Sequence, residues 1–175
     1  MRRIIVVGSQ ESGKTSLALK LGRQLGLPVI HLDVLYWQPG WKPSDTASFR
    51  TRVTDAIAGD AWVVDGSYSG LAFDLTLARA DRLVVIERPR WLCQWRILLR
   101  SAFNRDTARP DLPEGCPEQF DWTLMREAWR YDTERRPVIE AERIRYGGNV
   151  PVLRLRSDGD IVDFLETLTP DRDRS

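Results

Sequence analysis

Five short apolar runs recur along the chain, and each ends in a polar or glycine-bearing turn. They are Arg3-Ile4-Ile5-Val6-Val7, Pro28-Val29-Ile30-His31-Leu32-Asp33, Ala61-Trp62-Val63-Val64-Asp65, the run within residues 81–87, and Val150-Pro151-Val152-Leu153-Arg154-Leu155. Their β-branched content predicts strands, and their near-continuous apolarity predicts burial on both faces. Pro151 near the start of the last run suits an edge strand. Between the runs the apolar spacing changes to three and four residues. That period predicts helices over residues 16–25, 46–57, 91–101, 122–136 and 161–168, with a shorter helix or turn over 71–80. Strands alternating with helices predict an α/β domain built on a parallel sheet.

The helices come with their own signals. Ser44 or Asp45 is placed to cap the one over 46–57, whose buried face would be Phe49, Val53, Ala56 and Ile57. Arg88-Pro89 opens the next long one, with Trp91, Trp95, Leu98 and Leu99 as its packing set. Phe120, Leu124, Ala128 and Tyr131 approximate one side of the following helix, which Pro137 would break before a short resumption to Tyr146. Ser157-Asp158-Gly159-Asp160 would cap the last helix.

The first strand carries the strongest chemical signal. It runs straight into Gly8-Ser9-Gln10-Glu11-Ser12-Gly13-Lys14-Thr15, and a helix follows. Two glycines at that spacing let successive backbone N–H groups turn inward as a nest for a β-phosphate. The helix that opens there adds its positive end. Lys14 suits the β- and γ-phosphates and the Thr15 hydroxyl suits Mg²⁺, so the loop predicts a nucleoside triphosphate, ATP, with Mg²⁺.

Other strand ends add candidates, since ligands of open α/β sheets bind beyond the carboxyl ends of the strands. Asp33 ends the second strand, and its neighbour His31 reads as a packed or locally hydrogen-bonded residue. Asp65 ends the third, where Gly66 permits a close turn; a carboxylate there suits Mg²⁺, directly or through water. Trp37 and Trp41 flank the Pro39-Gly40 bend. They either wall a substrate pocket or cover the core, and the pattern supports both equally. Arg50 reads as a surface arginine, with an acceptor contact as the alternative.

Arg96 and Arg100 lie four apart on one predicted helix face, and an anion would relieve their mutual repulsion. Arg105 and Arg109 follow in an irregular, proline-rich stretch over 102–120. Together they predict a lid that closes arginines over transferring phosphate. Arg126, Arg130, Arg135 and Arg136 are weaker phosphate candidates.

Composition narrows the partners. The 175 residues suit one domain, and the formal net charge of +1 gives no support for nucleic-acid binding. The two cysteines, Cys93 and Cys116, lack metal-ligand spacing and fit a reduced, cytoplasmic setting. Cys93 reads as a small packing residue. One histidine leaves no basis for a histidine metal site. No run is long enough to span a membrane. A monomer is the default, with a weak homodimer requiring an exposed apolar Trp face.

Taken together, these motifs resemble the P-loop kinases of the adenylate kinase and shikimate kinase type. More narrowly, the chain resembles the adenylate-kinase-like "DNA topology modulation" proteins. The resemblance rests on the phosphate loop, Leu32-Asp33-Val34-Leu35-Tyr36-Trp37, Trp41, and Trp62-Val63-Val64-Asp65-Gly66-Ser67-Tyr68. It extends through Ala80-Asp81, Arg88-Pro89, Arg96 with Arg100, the run from Arg109 to Cys116, Phe120, and Trp129 with Tyr131. It implies a three-layer fold with a five-stranded parallel sheet in the order 2-3-1-4-5. It also implies an acceptor-covering segment over about 34–60 and a lid over about 102–120. By that resemblance Asp65 inherits a Mg²⁺-linked role and Asp33 holds the acceptor hydroxyl. The implied activity is transfer of the ATP γ-phosphate to a small-molecule or nucleotide acceptor, with an ATP-binding regulatory role connected to DNA topology as the alternative. The adenylate kinase pattern for AMP is incomplete, because Gly66-Ser67-Tyr68 stands where Gly-Phe-Pro-Arg is usual.

Overall fold

The computed structural model describes residues 1–103, 116 and 122–168. The five apolar runs form one parallel sheet. In chain order its strands are β1 (Arg3–Gly8), β2 (Val29–His31), β5 (Trp62–Asp65), β6 (Arg82–Ile86) and β7 (Val152–Leu155). They lie side by side as β2-β5-β1-β6-β7. Counted over these five strands alone, that is the expected 2-3-1-4-5 order. Two further short strands, β3 (Trp37–Gln38) and β4 (Lys42–Pro43), form a separate antiparallel hairpin around the Pro39-Gly40 bend.

The sheet is covered on both faces, as its apolar strands require. Ile5 and Val7 of β1 pack into one core, with Leu32, Phe49, Val53, Phe73, Leu77 and Ile139. Ile4 and Val6 point the other way, against Leu17, Ala18 and Leu21. The first core is roofed by α2 (Leu32–Tyr36), α3 (Thr46–Ala56), α4 (Phe73–Leu77) and α7 (Arg136–Gly147). The second lies under α1 (Lys14–Leu25) and α8 (Asp158–Thr167). The alternation of strand side chains divides one continuous apolar run between two cores. β7 is an edge strand, consistent with Pro151. Asp45 caps α3 by accepting from Ser48 N at 2.9 Å, and Ser157 with Asp160 forms a capping box at α8.

Several elements differ from the pattern. β2 stops at His31, and Leu32 and Asp33 belong to the short helix α2. Leu32 is fully buried, so the core holds the chain as it turns out of the sheet. On α5 (Arg90–Phe103) the buried residues are Cys93 and Ile97, while Trp91 and Trp95 are exposed at 68% and 55%. The 3.6-residue period allowed either face, and the face turned inward is the smaller one, with Cys93 against Ser9 of the loop after β1. α6 (Trp122–Arg130) buries Ala128 and exposes Trp122 and Trp129.

Pro137 does not break the helix. A single π-helical turn, Tyr131–Arg135, joins α6 to α7, and the Arg136 N–H reaches back to the Tyr131 carbonyl. Pro137 then falls in the first turn of α7, where its missing N–H costs nothing. Among the described residues, no helix is long and apolar enough to cross a membrane.

Candidate active site

The phosphate loop occupies the turn between β1 and α1, at the carboxyl edge of the central strand. Gly13 is the N-cap of α1 with φ 97, a left-handed conformation that glycine adopts freely. Gly8 answers a different need: a Cβ there would lie 2.5 Å from Ser12 Oγ and 3.0 Å from the Ile86 carbonyl. Glu11 also sits at positive φ, 55, so the loop holds an L-residue in a strained conformation. The Ser12 N–H closes a turn onto the Ser9 carbonyl at 3.3 Å. Ser12 Oγ itself is buried without a hydrogen-bond partner. Lys14 and Thr15, both half-buried, begin the helix. No side chain caps α1, so its first amides remain for an anion.

α5 brings two more groups to this loop. Arg96 donates from Nη1 to the Glu11 carbonyl at 3.3 Å, which seats its guanidinium beside the loop. Cys93 Sγ lies 3.2 Å from Ser9 Oγ, so the cysteine packs directly against the loop wall. Arg100 follows one turn along α5, and nothing further is described of its side chain. Arg105, Arg109 and most of the expected lid over 102–120 lie outside the described residues.

β5 lies next to β1 and β2 lies next to β5, so their ends form one edge. Asp65 closes β5 and is 6% exposed. His31 is its register partner across the β2–β5 ladder. The imidazole Nδ1 donates to Asp65 Oδ2 at 3.0 Å. The other carboxylate oxygen, Oδ1, is buried and has no hydrogen-bond partner. Burying a carboxylate oxygen without a donor is costly. The orphaned Oδ1 therefore fits a donor brought by a ligand, such as metal-bound water. His31, expected as a locally hydrogen-bonded residue, is that, and its partner is the candidate metal-linked carboxylate.

Asp33 lies beyond β2 in the first turn of α2 and is exposed. The Tyr68 hydroxyl donates to its Oδ1 at 2.5 Å. Burial pushes the Tyr68 hydroxyl well above the ordinary tyrosine range, and the Asp33 charge adds to the effect, so it stays a proton donor. Tyr68 was legible only as a residue of the turn after Asp65. Around it stand Tyr36 and Phe49, with ring centroids 4.8 and 5.0 Å from its own. Trp37 and Trp41, on the hairpin, meet edge to face at 5.7 Å.

Several arginine candidates are spent on structure. Arg50 grips Asp74 with two 2.8 Å bonds and reaches the Leu71 carbonyl at 2.7 Å. Arg130 pairs with Glu134 at 3.2 Å. Arg136, Arg154 and Arg156 converge on Glu87 at 2.7 to 3.1 Å. Burial alone would raise the Glu87 carboxyl, but the hydrogen bonds from Arg154 and Arg156 prevail and hold it below the usual range. This cluster ties the end of β6 to α7 and β7. Glu87, Arg136 and Arg154 line a cavity that also reaches Ser9 of the loop after β1.

By sequence, no family profile and no curated protein matches the chain. Its architecture does match solved structures. A gluconokinase from Sinorhizobium meliloti superposes with a TM-score of 0.55 at 16% identity, covering 95% of each chain. A shikimate kinase from Acinetobacter baumannii, solved with shikimate, gives 0.59 at 13% identity over 96% of this chain and 90% of that one. A shikimate kinase from Bacteroides thetaiotaomicron gives 0.51 at 14% identity, over 95% and 96%. The chain shares the fold of these three solved kinases. At these identities the likeness concerns the fold alone. Within that fold the phosphate loop, the Asp65 pair and the Asp33 pair stand at the carboxyl edge of the sheet.

Proposed function

We propose that this P-loop kinase fold transfers the γ-phosphoryl group of ATP to a hydroxyl of a small acceptor. One observation carries the reading: the phosphate loop shares its sheet edge with Asp33, an exposed carboxylate held by the Tyr68 hydroxyl. The loop amides and Lys14 bind the phosphates, and Arg96 adds charge beside them. The acceptor hydroxyl hydrogen-bonds to Asp33. Its oxygen attacks the γ-phosphorus, its proton passes to Asp33, and ADP leaves with the β–γ bridging oxygen. Arg100, Arg105 and Arg109 belong to the same proposal as closing cations. Residues 34–60 serve as the acceptor cover and 102–120 as the lid.

Thr15 and Asp65 fit Mg²⁺, Thr15 through its hydroxyl and Asp65 through water at the orphaned Oδ1. Mg²⁺ keeps several waters and takes phosphate oxygens, so it needs only one or two such protein groups. When bound, Mg²⁺ supplies charge neutralisation across the β- and γ-phosphates.

The test is ADP production from Mg-ATP across nucleoside monophosphates, nucleosides and small hydroxy acids, with Lys14→Ala beside the parent. The expected result is turnover with a restricted set of acceptors, reduced about 100-fold or more in Lys14→Ala. Acceptor-independent behaviour with tight ATP binding would replace the kinase with a nucleotide-controlled binding protein. No observation among the described residues favours a DNA-linked role.

A further inference from the structure

The turn that carries Tyr68 is gripped from outside by two helices. Tyr68 adopts φ 46, a conformation that a bulky L-residue keeps only where its surroundings enforce it. Part of the hold is internal: the Tyr68 carbonyl accepts from the Leu71 and Ala72 amides at 2.9 and 3.1 Å. Gly70 follows at φ 80, where glycine is at ease. The rest comes from distant chain. Arg50 of α3 donates to the Leu71 carbonyl at 2.7 Å. Glu142 of α7 takes the neighbouring Gly70 N–H, its Oε1 accepting at 2.6 Å across 72 residues of sequence.

Packing explains how α7 gets there. Ile139, three residues before Glu142, is buried in the core above the sheet, so this face of α7 points inward. Later in the same helix, Gly147 lies so close to α4 that a Cβ would stand 3.0 Å from Leu77 Cδ2. The close approach of α7 to α4 brings Glu142 onto the turn that precedes α4.

Stability alone does not explain a carboxylate at this position. The second oxygen of Glu142, Oε2, is buried with no hydrogen-bond partner. Burial pushes the carboxyl above the usual glutamate range; the Gly70 bond opposes the shift and the Asp74 charge adds to it. An apolar side chain of similar size would pack there without either penalty. What the carboxylate supplies is one directed acceptor, aimed at the backbone two residues after Tyr68.

We propose that Glu142 is a positioning residue for the acceptor carboxylate: by holding the Gly70 N–H it keeps Tyr68 in its left-handed conformation, and so keeps the Tyr68 hydroxyl on Asp33. The proposal rests on the kinase reading above. The path runs Glu142, Gly70, Tyr68, Asp33, from α7 to the end of β2. None of these four contacts involves the phosphate loop, so the effect falls on transfer to the acceptor and not on ATP binding.

Glu142→Ala, and Glu142→Asp with its shorter reach, are expected to lower acceptor-dependent kcat about tenfold, the worth of one hydrogen bond to a charged group, with the KM for ATP unchanged. Glu142→Gln keeps an oxygen for Gly70 and should stay within about threefold of the parent. The urea midpoint should move little in all three, since the side chain replaced carries an unpaired buried oxygen. A double-mutant cycle separates positioning from general support of the fold. In a Tyr68→Phe background, Glu142→Ala should cost no further kcat. A crystal structure of Glu142→Ala should show the Tyr68 hydroxyl withdrawn from Asp33. An unmoved kcat in both Glu142→Ala and Glu142→Asp, a loss that adds to that of Tyr68→Phe, or a variant structure with the hydroxyl still on Asp33 overturns the proposal. Failure of the kinase reading looks different: the parent would make no ADP in response to any acceptor, or Lys14→Ala would bind ATP as the parent does. The variant structure would then still decide whether Glu142 holds Tyr68.

Discussion

The Tyr68 hydroxyl and the Asp33 carboxylate, 35 residues apart in the chain, meet at 2.5 Å just beyond the β2 end of the sheet's carboxyl edge. The bond occupies Asp33 Oδ1 and fixes the orientation of the second oxygen. Tyr68→Phe removes one hydrogen bond to a charged group, worth about 1.5–3 kcal/mol. Acceptor-dependent transfer is expected to fall roughly 10–100-fold, with ATP affinity unchanged. Asp33→Asn is expected to abolish most transfer while leaving acceptor-free ATP hydrolysis intact. Steady-state kinetics with and without acceptor separates the two activities. Equal loss of both in Asp33→Asn would remove Asp33 from its assigned role.

His31 and Asp65 form the second such pair, one strand closer to the phosphate loop. His31→Ala frees Asp65 to rotate and leaves both its oxygens short of donors. The expected loss is about tenfold or more in the Mg²⁺ dependence of ATP binding. ATP binding without Mg²⁺ should stay as in the parent. His31→Gln keeps a donor and should recover part of the effect. A Mg²⁺ titration of ATP affinity that is identical in parent and His31→Ala would show that the pair serves only packing.

A third prediction concerns folding. Asp81 accepts from the Arg2 and Arg3 amides at 3.1 and 3.0 Å and from the Arg3 guanidinium at 2.7 Å, which pins the start of β1 beside β6. The Arg3 hydrogen bonds hold its carboxyl down at about 2, from an ordinary 3.8. A depressed carboxyl stabilises the fold at pH values above its unfolded value and loses that contribution as pH falls through the folded one. The contribution should therefore be full above about pH 4 and gone below about pH 2. For a partly exposed pair it amounts to about 1 kcal/mol. Urea unfolding of parent and Asp81→Asn should differ by that amount at pH 7 and converge towards pH 2. A difference that persists unchanged at pH 2 would contradict this account.

Local chemistry was legible because it is written locally. The phosphate loop, its flanking strand and helix, and the five apolar runs depend on neighbours within a few residues. Backbone torsion, glycine spacing and side-chain period determine them directly. The resemblance supplied the strand order, and the fold bears it out. Faces were less legible. On α5 the period marked an apolar stripe of Trp91, Trp95, Leu98 and Leu99, but the buried residues are Cys93 and Ile97. Close approach of the helix to the phosphate loop, with Cys93 against Ser9, favours small side chains there.

The sequence alone thus determined the glycine loop between the first strand and helix, the alternation of strands and helices, and a carboxylate at or just beyond two strand ends. Tertiary structure decided what those carboxylates touch. Asp33 and Asp65 acquire Tyr68 and His31 only because β2 and β5 lie side by side and chain segments 34 or 35 residues apart meet at one edge. It also decided where the described arginine candidates go: Arg96 sits beside the loop, while Arg50, Arg130 and Arg136 are bound by carboxylates. The physical reason is the same in each case. A side chain's type sets the bonds it can make, but partners distant in the chain compete for those bonds, and only packing brings the winners within reach.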